Sequence, residues 1–285
     1  MKTILITGIN GFLGSNLAKR FSNNYNIIGT EFTKENLFRI KEDNFPIYLS
    51  DKNGIEQLFA ENKIDIIIHT ATFYGRSNED FTKLFEANLS YPFYLHDIAA
   101  KNKVELFVNT DSALERYTSA YSLTKKQFLD WLKFRCNEIK VVNMQLEHFY
   151  GPGASQTNFI ISMINKLFEN ESQIDLTKGE QKRDFVYYED VLDAYELVIS
   201  YTDILNNSFQ HFEIGTGELI SIKDLMILLR ELTMSKSNLN FGAIPYRENE
   251  LMESQTDNSN ICKLGWQPRT IIREGLLKTI IGIKK

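Results

Sequence analysis

Tyr121 and Lys125 stand four positions apart in the run Tyr121-Ser122-Leu123-Thr124-Lys125-Lys126, which reads as the start of a helix extending to about Asn137. That spacing puts both side chains on one helix face. An ammonium beside a phenol favours the phenolate and draws its pKa toward working pH, so Tyr121 is a feasible proton donor or acceptor for a carbonyl/alcohol pair. Just upstream, the β-rich run Val104–Asn109 delivers Thr110-Asp111-Ser112 at its end, and the Thr110 hydroxyl can hydrogen-bond the same oxygen. A tyrosine with a snorkelling lysine is common on helix surfaces. The set gains chemical meaning only beside a hydride carrier.

A place for such a carrier opens the chain. Ile4, Leu5 and Ile6 form an apolar run suited to a strand buried on both faces, and an amphipathic helix is expected over Phe12–Phe21. Between them Gly8, Gly11 and Gly14 recur every third position. Such glycines allow a tight turn, close approach to a pyrophosphate, and close packing of the helix whose N-terminal N–H groups face that charge. A second strand, Tyr25–Glu31, ends in an acid at about the separation from the cradle at which a carboxylate reaches a ribose 2′-hydroxyl. Glu31 therefore points to NAD, while Lys34 and Arg39 could meet the 2′-phosphate of NADP.

The intervening elements must position these groups. Ile47-Tyr48-Leu49 reads as a third strand and Asp51 as the N-cap of a helix over Gly54–Asn62. The run Ile64–Thr72 is β-rich and closes on small residues, Thr70 and Ala71, which suit close approach of a cofactor. His69 reads as a core histidine, with no second ligand at metal spacing beside it. The loop Phe73–Glu79 follows a strand, where ligand-contacting loops of parallel sheets lie. Asp80–Lys101 has helical periodicity that Pro92 should kink or divide. Asn88 interrupts its apolar face, either as a satisfied buried amide or as a polar group lining a site. Further strands and helices are expected at Val141–Leu146, Val191–Tyr201, Phe212–Ile214 and Ile222–Leu232.

The 285 residues, 43% hydrophobic, can fill a sizeable core. The 32 basic and 37 acidic residues leave a net charge of −5, which argues against a nucleic-acid partner. Cys136 and Cys262, the only cysteines, fit two free thiols in a reducing compartment. No basic-plus-apolar leader opens the sequence and no apolar run is long enough to cross a bilayer, so a cytoplasmic protein without a membrane partner is expected. The break at Glu147–Gly153 suggests a boundary between a dinucleotide-binding domain over 1–150, to which 184–214 returns, and a substrate region over 151–285.

Taken together, these motifs resemble the extended short-chain dehydrogenase/reductase family, in its nucleotide-sugar branch, along nearly the whole chain. The segment Thr7–Gly14 resembles that family's cofactor loop, Thr110 with Tyr121 and Lys125 its catalytic set, and Arg183-Asp184-Phe185 a further motif loop; FYGPG, EIGTG and LGWQP follow in the family's order. The resemblance implies a doubly wound parallel α/β sheet (Rossmann) with a smaller mixed α/β C-terminal region. It implies cofactor contacts at Gly8, Asn10, Gly11, Phe12, Leu13, Gly14, Glu31, Thr70, Ala71, Tyr121 and Lys125. Arg183 and Arg247 would hold a sugar-nucleotide diphosphate by bidentate guanidinium contacts, the bland alternative being ion pairs with Asp184 and Glu248. Tyr74, Arg76, Asp111, Ser112 and His148 complete the implied substrate contacts.

Within the branch, Tyr74-Gly75-Arg76, Leu146–Gly151 and Arg247–Met252 resemble the CDP-paratose and CDP-abequose synthases, and related reductases act on dTDP-linked 4-ketosugars. The implied activity is NADPH- or NADH-dependent 4-keto reduction of a CDP- or dTDP-linked 4-keto-6-deoxyhexose or 3,6-dideoxyhexose, supplying deoxysugars for surface polysaccharide. No metal is implied. A homodimer is expected through the helices Asp80–Lys101 and the one after Tyr121. Three departures stand out: Ser112 where dehydratases carry a glutamate, which disfavours dehydration; Tyr48 where the family has an aspartate; and His148 where it has an asparagine. An NAD-dependent epimerase is the first alternative, and a non-catalytic dinucleotide-sensing protein the second.

Overall fold

The computed structural model describes residues 1–75, 80–201, 208–247 and 250–284. Two compact units emerge, one comprising Met1–Gln145 with Tyr195–Phe212, the other Leu146–Ala194 with Glu213–Lys285.

The first unit alternates strand and helix: β1 (Thr3–Thr7), α1 (Phe12–Phe21), β2 (Asn26–Glu31), β3 (Ile47–Leu49), α2 (Lys52–Glu61) and β4 (Ile66–His69). There follow α3 (Phe81–Phe85), a π-helical turn at Glu86–Ser90, α4 (Tyr91–Lys101), β5 (Leu106–Ser112), α5 (Ala120–Phe134) and β6 (Lys140–Leu146). The remaining elements are β7 (His148–Tyr150), α6 (Phe159–Phe168), β8 (Gln173–Leu176), β9 (Lys182–Arg183), β10 (Phe185–Tyr187) and α7 (Tyr188–Ser200). The chain ends with β11 (Phe209–Ile214), β12 (Ile220–Ser221), α8 (Ile222–Thr233), β13 (Asn238–Phe241), β14 (Glu253–Ser254), α9 (Ser259–Cys262) and α10 (Ile272–Ile283).

Seven strands form a parallel sheet in the order β11-β6-β5-β4-β1-β2-β3, the doubly wound order expected. The strand order reverses between β1 and β4, and at such a switch point the carboxyl ends of neighbouring strands leave a crevice for a ligand. The strands are apolar on both sides because helices cover both faces: Ile4, Leu5, Ile6 and Ile66–Ile68 are all essentially inaccessible. Leu5, Ile67 and Phe107 pack with Ile55 and Leu58 of α2, Leu95 and Ala99 of α4, and Phe128 and Leu132 of α5. Each buried Leu, Ile or Phe side chain among them contributes about 1.5–3 kcal/mol of burial free energy.

The second unit has its own core, in which Ile160, Ile164 and Leu167 of α6 meet Leu225, Met226 and Leu229 of α8 and Leu276 and Ile280 of α10. Small sheets complete it, including the parallel pair β7–β10 and the triple β12-β9-β14. The Leu264-Gly265-Trp266-Gln267-Pro268 segment is held by Trp266, whose indole N–H donates to the Asp190 carbonyl (2.9 Å), while the Asp190 carboxylate accepts from the backbone of Arg269 and Thr270.

Two differences from the sequence reading bear on the site. The helix expected over Asp80–Lys101 is divided by the π-helical turn, and Pro92 lies in the first turn of α4, where a missing N–H goes unused. The strand expected to stop at Asn109 continues to Ser112, so Thr110 is part of β5 itself. Among the described residues, no helix is long and apolar enough to cross a membrane.

Candidate active site

Strand register gathers the sequence-predicted residues into a row. Thr30, Thr7, His69 and Asn109 are paired neighbours across β2, β1, β4 and β5, so the residues that follow them, Glu31, Gly8, Thr70 and Thr110, stand in a row at the carboxyl ends of the strands. At roughly 4.8 Å per strand the line is about 14 Å long.

The glycines act as their spacing suggests. Gly8 has φ +65°, and a Cβ on it would lie 2.8 Å from the Ala71 Cα, so the turn after β1 presses directly on the turn after β4. A Cβ on Gly14 would come within 2.3 Å of the Gly8 carbonyl oxygen, which sets how closely α1 approaches the loop. α1 begins after its N-cap Gly11 with no side-chain cap and no acid in its first turn, so the positive end of its dipole meets no carboxylate of the first turn. Leu13 is buried in this packing, and Phe12, the first helical residue, is half-buried. A negatively charged, backbone-approaching group such as a pyrophosphate fits this cradle.

Asn10 ties the cradle to β2. Its backbone N–H donates to Glu31 Oε1 (2.5 Å), its Oδ1 accepts from the Arg39 N–H (3.0 Å), and its carbonyl accepts from the Arg39 guanidinium (3.1 Å). Burial pushes the Glu31 carboxyl above its ordinary value, with the Asn10 N–H pulling it back. Lys34 is exposed. Under the turn after β4, Thr7 Oγ1 accepts from the Ala71 N–H (3.1 Å) and the Thr70 hydroxyl donates to the Thr7 carbonyl (2.6 Å). His69, fully buried among Tyr91, Phe107 and Phe128, bonds Thr7 Oγ1 through Nδ1 (2.8 Å) and is a core residue as expected; burial holds its pKa well below the usual value.

The local sequence also explains where α5 begins. Ser119 and Ser122 form a reciprocal capping box, fixing the first turn that carries Tyr121. The ring of Tyr121 packs at a tilt of 33° against Tyr74, centroids 5.0 Å apart. One turn on, Lys125 is 3% exposed. Burial lowers its ammonium pKa to about 8, with Lys126 adding to the shift and Asp111 opposing it. Asn88, from the π-helical turn, resolves as a satisfied amide. Its Nδ2 donates to Phe73 O (2.8 Å) and Thr124 Oγ1 (3.3 Å), and its Oδ1 accepts from the Phe73 N–H (2.9 Å) and the Thr72 hydroxyl (3.2 Å). It thus ties the loop leading to Tyr74 to the residue before Lys125.

Asp111, expected to contact substrate, turns into the interior instead. Its carboxylate, fully buried, pairs with Lys126 Nζ at 2.8 Å, and Lys126 also donates to the Ser112 carbonyl and to Gln145. Asn143 donates to the same carboxylate (3.3 Å) and accepts from Asn109 (2.6 Å). Alternation along β5 is the physical reason: if Thr110 faces the carboxyl-edge crevice, its neighbour faces the sheet's other side. Ser112 is half-buried, its hydroxyl accepting from the Leu114 N–H (3.2 Å). Thr110 Oγ1 lies 2.7 Å from the hydroxyl of Tyr195 on α7, a residue that sequence reasoning missed because nothing marks it among 13 tyrosines.

In the second unit, His148 is 39% exposed in its side chain; its Nδ1 lies 3.0 Å from Glu147 Oε2, and its ring packs on Phe185. Glu147, itself buried, also accepts from the Ser254 hydroxyl (2.6 Å). Arg183 meets Glu250 at 2.7 Å rather than Asp184. Asp184 is fully buried and accepts from the Thr216 and Gly217 backbone N–H groups, thereby building the Gly215-Thr216-Gly217 turn. Arg247 is exposed. Arg76 and Glu248 lie outside the described residues. Among the described residues, no group of three or more His, Cys, Asp or Glu side chains could hold a metal ion.

Residues 4–215 match the NAD dependent epimerase/dehydratase family. The chain belongs to this family. Its similarity extends to the CDP-abequose synthase of Salmonella typhimurium, at 31% identity over 96% of this chain and 95% of that protein. Two solved structures share its fold: the UDP-glucose 4-epimerase of Thermotoga maritima with UDP-glucose (TM-score 0.87, 21% identity, 99% of this chain and 98% of that one), and that of Thermus thermophilus in complex with NAD (0.86, 20%, 99% of each). In this chain the Gly8 turn and Thr110 lie at the carboxyl ends of β1 and β5, and α5 carries Tyr121 and Lys125.

Proposed function

We propose that this protein is an NAD(P)H-dependent 4-ketoreductase of a CDP- or dTDP-linked 4-keto-6-deoxyhexose or 3,6-dideoxyhexose. The observation that carries the reading is the composition of the edge at β5: Thr110 and, on α5, Tyr121 and Lys125 supply one proton-transfer group and its supports. Ser112 stands where a dehydratase needs a second acid, and Asp111 is sequestered by Lys126. Similarity to the CDP-abequose synthase supports a nucleotide-sugar substrate.

Gly8, Asn10, Gly11, Phe12, Leu13 and Gly14 would hold the dinucleotide, with Glu31, Thr70 and Ala71 along its path. When bound, the dinucleotide supplies the hydride. Tyr121 then donates the phenol proton to the substrate's C4 oxygen, the Thr110 hydroxyl orients that oxygen, and the Lys125 ammonium stabilises the phenolate left behind. By the family resemblance Tyr74, Ser112, His148, Arg183 and Arg247 are assigned to the substrate, the arginines to its diphosphate. Glu31 supports NADH, whereas Arg39 beside it supports NADPH. Exposed Phe81, Phe85, Trp131 and Phe134 on α3 and α5 support a homodimer. The free thiols Cys136 and Cys262 support a cytoplasmic location.

The test is to supply CDP- and dTDP-linked 4-ketosugars with each reduced cofactor and follow absorbance at the nicotinamide band. Stoichiometric oxidation of cofactor is expected. The epimerase alternative, which the family and Glu31 also favour, predicts interconversion of sugars with no net consumption. If Tyr121→Phe leaves the protein's biological effect intact, the non-catalytic alternative stands.

A further inference from the structure

Thr110 is served by a residue that lies 85 positions away in sequence. Tyr195, on α7 but part of the first unit, is completely buried, and its hydroxyl lies 2.7 Å from Thr110 Oγ1. Among the described residues the Tyr195 hydroxyl has no other hydrogen-bond partner, and neither does the Thr110 hydroxyl. Two hydroxyls sharing one bond have two possible polarities. If Thr110 donates, the Tyr195 proton is stranded in an apolar interior, at the full desolvation cost of a buried donor. If Tyr195 donates, its proton is satisfied, and the Thr110 proton is left to point outward from the carboxyl edge of β5. Burial also raises the Tyr195 pKa far above its ordinary value, so this phenol keeps its proton at all working pH.

We infer that Tyr195 is a positioning residue for the reduction: by donating to Thr110 Oγ1 it commits the Thr110 hydroxyl proton to the substrate's C4 oxygen. The inference rests on the ketoreductase reading. A threonine hydroxyl otherwise rotates among staggered positions and donates to whichever acceptor is nearest. With its acceptor face occupied by Tyr195, it is preorganised toward the oxygen that gains negative charge as hydride arrives. Such preorganised donation strengthens in the transition state, so its loss falls on kcat more than on KM. Tyr195 touches neither substrate nor cofactor on this account, and all its effect passes through Thr110.

A double-mutant cycle tests this. Y195F is expected to lower kcat about 5- to 20-fold with KM for the ketosugar and for NAD(P)H changed less than about 2-fold. T110A is expected to lower kcat further, and T110A/Y195F to match T110A within about 2-fold, because the second hydroxyl has nothing left to act through. T110S, which keeps the hydroxyl, should retain most activity and remain sensitive to Y195F. Should Y195F yield no folded protein, Y195M removes the same hydroxyl from the same cavity and carries the cycle. Multiplicative losses in the double variant, or a Y195F effect confined to KM, overturn the positioning role while leaving the ketoreductase reading intact. If the wild-type protein oxidises neither NADH nor NADPH with any CDP- or dTDP-linked 4-ketosugar, both readings fall.

Discussion

Replacing Lys125 with methionine should make the protein more stable and inactive at once. The ammonium is 3% exposed, and its pKa in the folded chain is lowered from 10.5 to about 8, chiefly by burial. At about 1.36 kcal/mol per pH unit, carrying that charge costs the folded state about 3 kcal/mol relative to the unfolded chain. A methionine of similar length follows the same path without a charge. Below pH 8 both folded and unfolded chains hold the Lys125 proton, so the full gain of K125M is present there. Between pH 8 and 10.5 the unfolded chain keeps a proton that the folded chain has released, so wild-type stability rises and the gap closes by about 1.4 kcal/mol per pH unit. Thermal melts of cofactor-free protein at pH 7 should show K125M higher by on the order of 5–10 °C, shrinking toward zero by pH 10.5. The same titration should lower wild-type kcat/KM above pH 8, as Tyr121 loses its cationic neighbour. A variant no more stable than wild type at pH 7, or a gap that stays constant up to pH 10, would show that the buried Lys125 ammonium carries no such cost.

Four other perturbations test the remaining features. Tyr121→Phe should reduce turnover by about 10²- to 10⁴-fold while dinucleotide affinity, measured by fluorescence titration, stays within about 3-fold. Gly14→Ala places a methyl 2.3 Å from the Gly8 carbonyl, so calorimetry should show dinucleotide binding lost and a melting temperature several degrees lower. Asp111→Ala leaves the half-buried Lys126 ammonium without its carboxylate, keeping only the Ser112 carbonyl and Gln145, and should destabilise the protein by about 1–3 kcal/mol in urea unfolding, with D111L/K126M recovering most of that loss. Trp131→Glu on the exposed face of α5 should convert a dimer to monomer in sedimentation, with the secondary structure unchanged by circular dichroism.

Features set by neighbours in the chain were legible in the sequence, and features set by distant partners were not. α1 and β3 fall on their expected boundaries because glycine spacing and apolar patterning act within a few residues. Asp51 caps α2 as expected, accepting from the Gly54 N–H (2.7 Å), a bond that closes over three residues. Asn88 stayed ambiguous in sequence because its four partners lie at Thr72, Phe73 and Thr124, which no local pattern reports. Tyr48 uses its hydroxyl at the sheet edge, donating to Glu61 (2.6 Å) and accepting from Asn62 (3.0 Å), partners on α2 and just beyond it.

What the amino-acid order determined by itself was the set of chemical parts: a glycine turn after an apolar strand, an acid one strand later, a threonine at a strand end, and a tyrosine and lysine one helical turn apart. Each is a statement about neighbours in the chain, where steric and hydrogen-bonding rules are strong. Tertiary structure alone decided their electrical states and their company. Strand register lined up Glu31, Gly8, Thr70 and Thr110; burial lowered the Lys125 pKa; pleat alternation sent Asp111 inward to Lys126; and the packing of α7 brought Tyr195 to Thr110. Desolvation and side-chain pairing depend on which distant surfaces meet, and that is settled only when the sheet and its helices have closed.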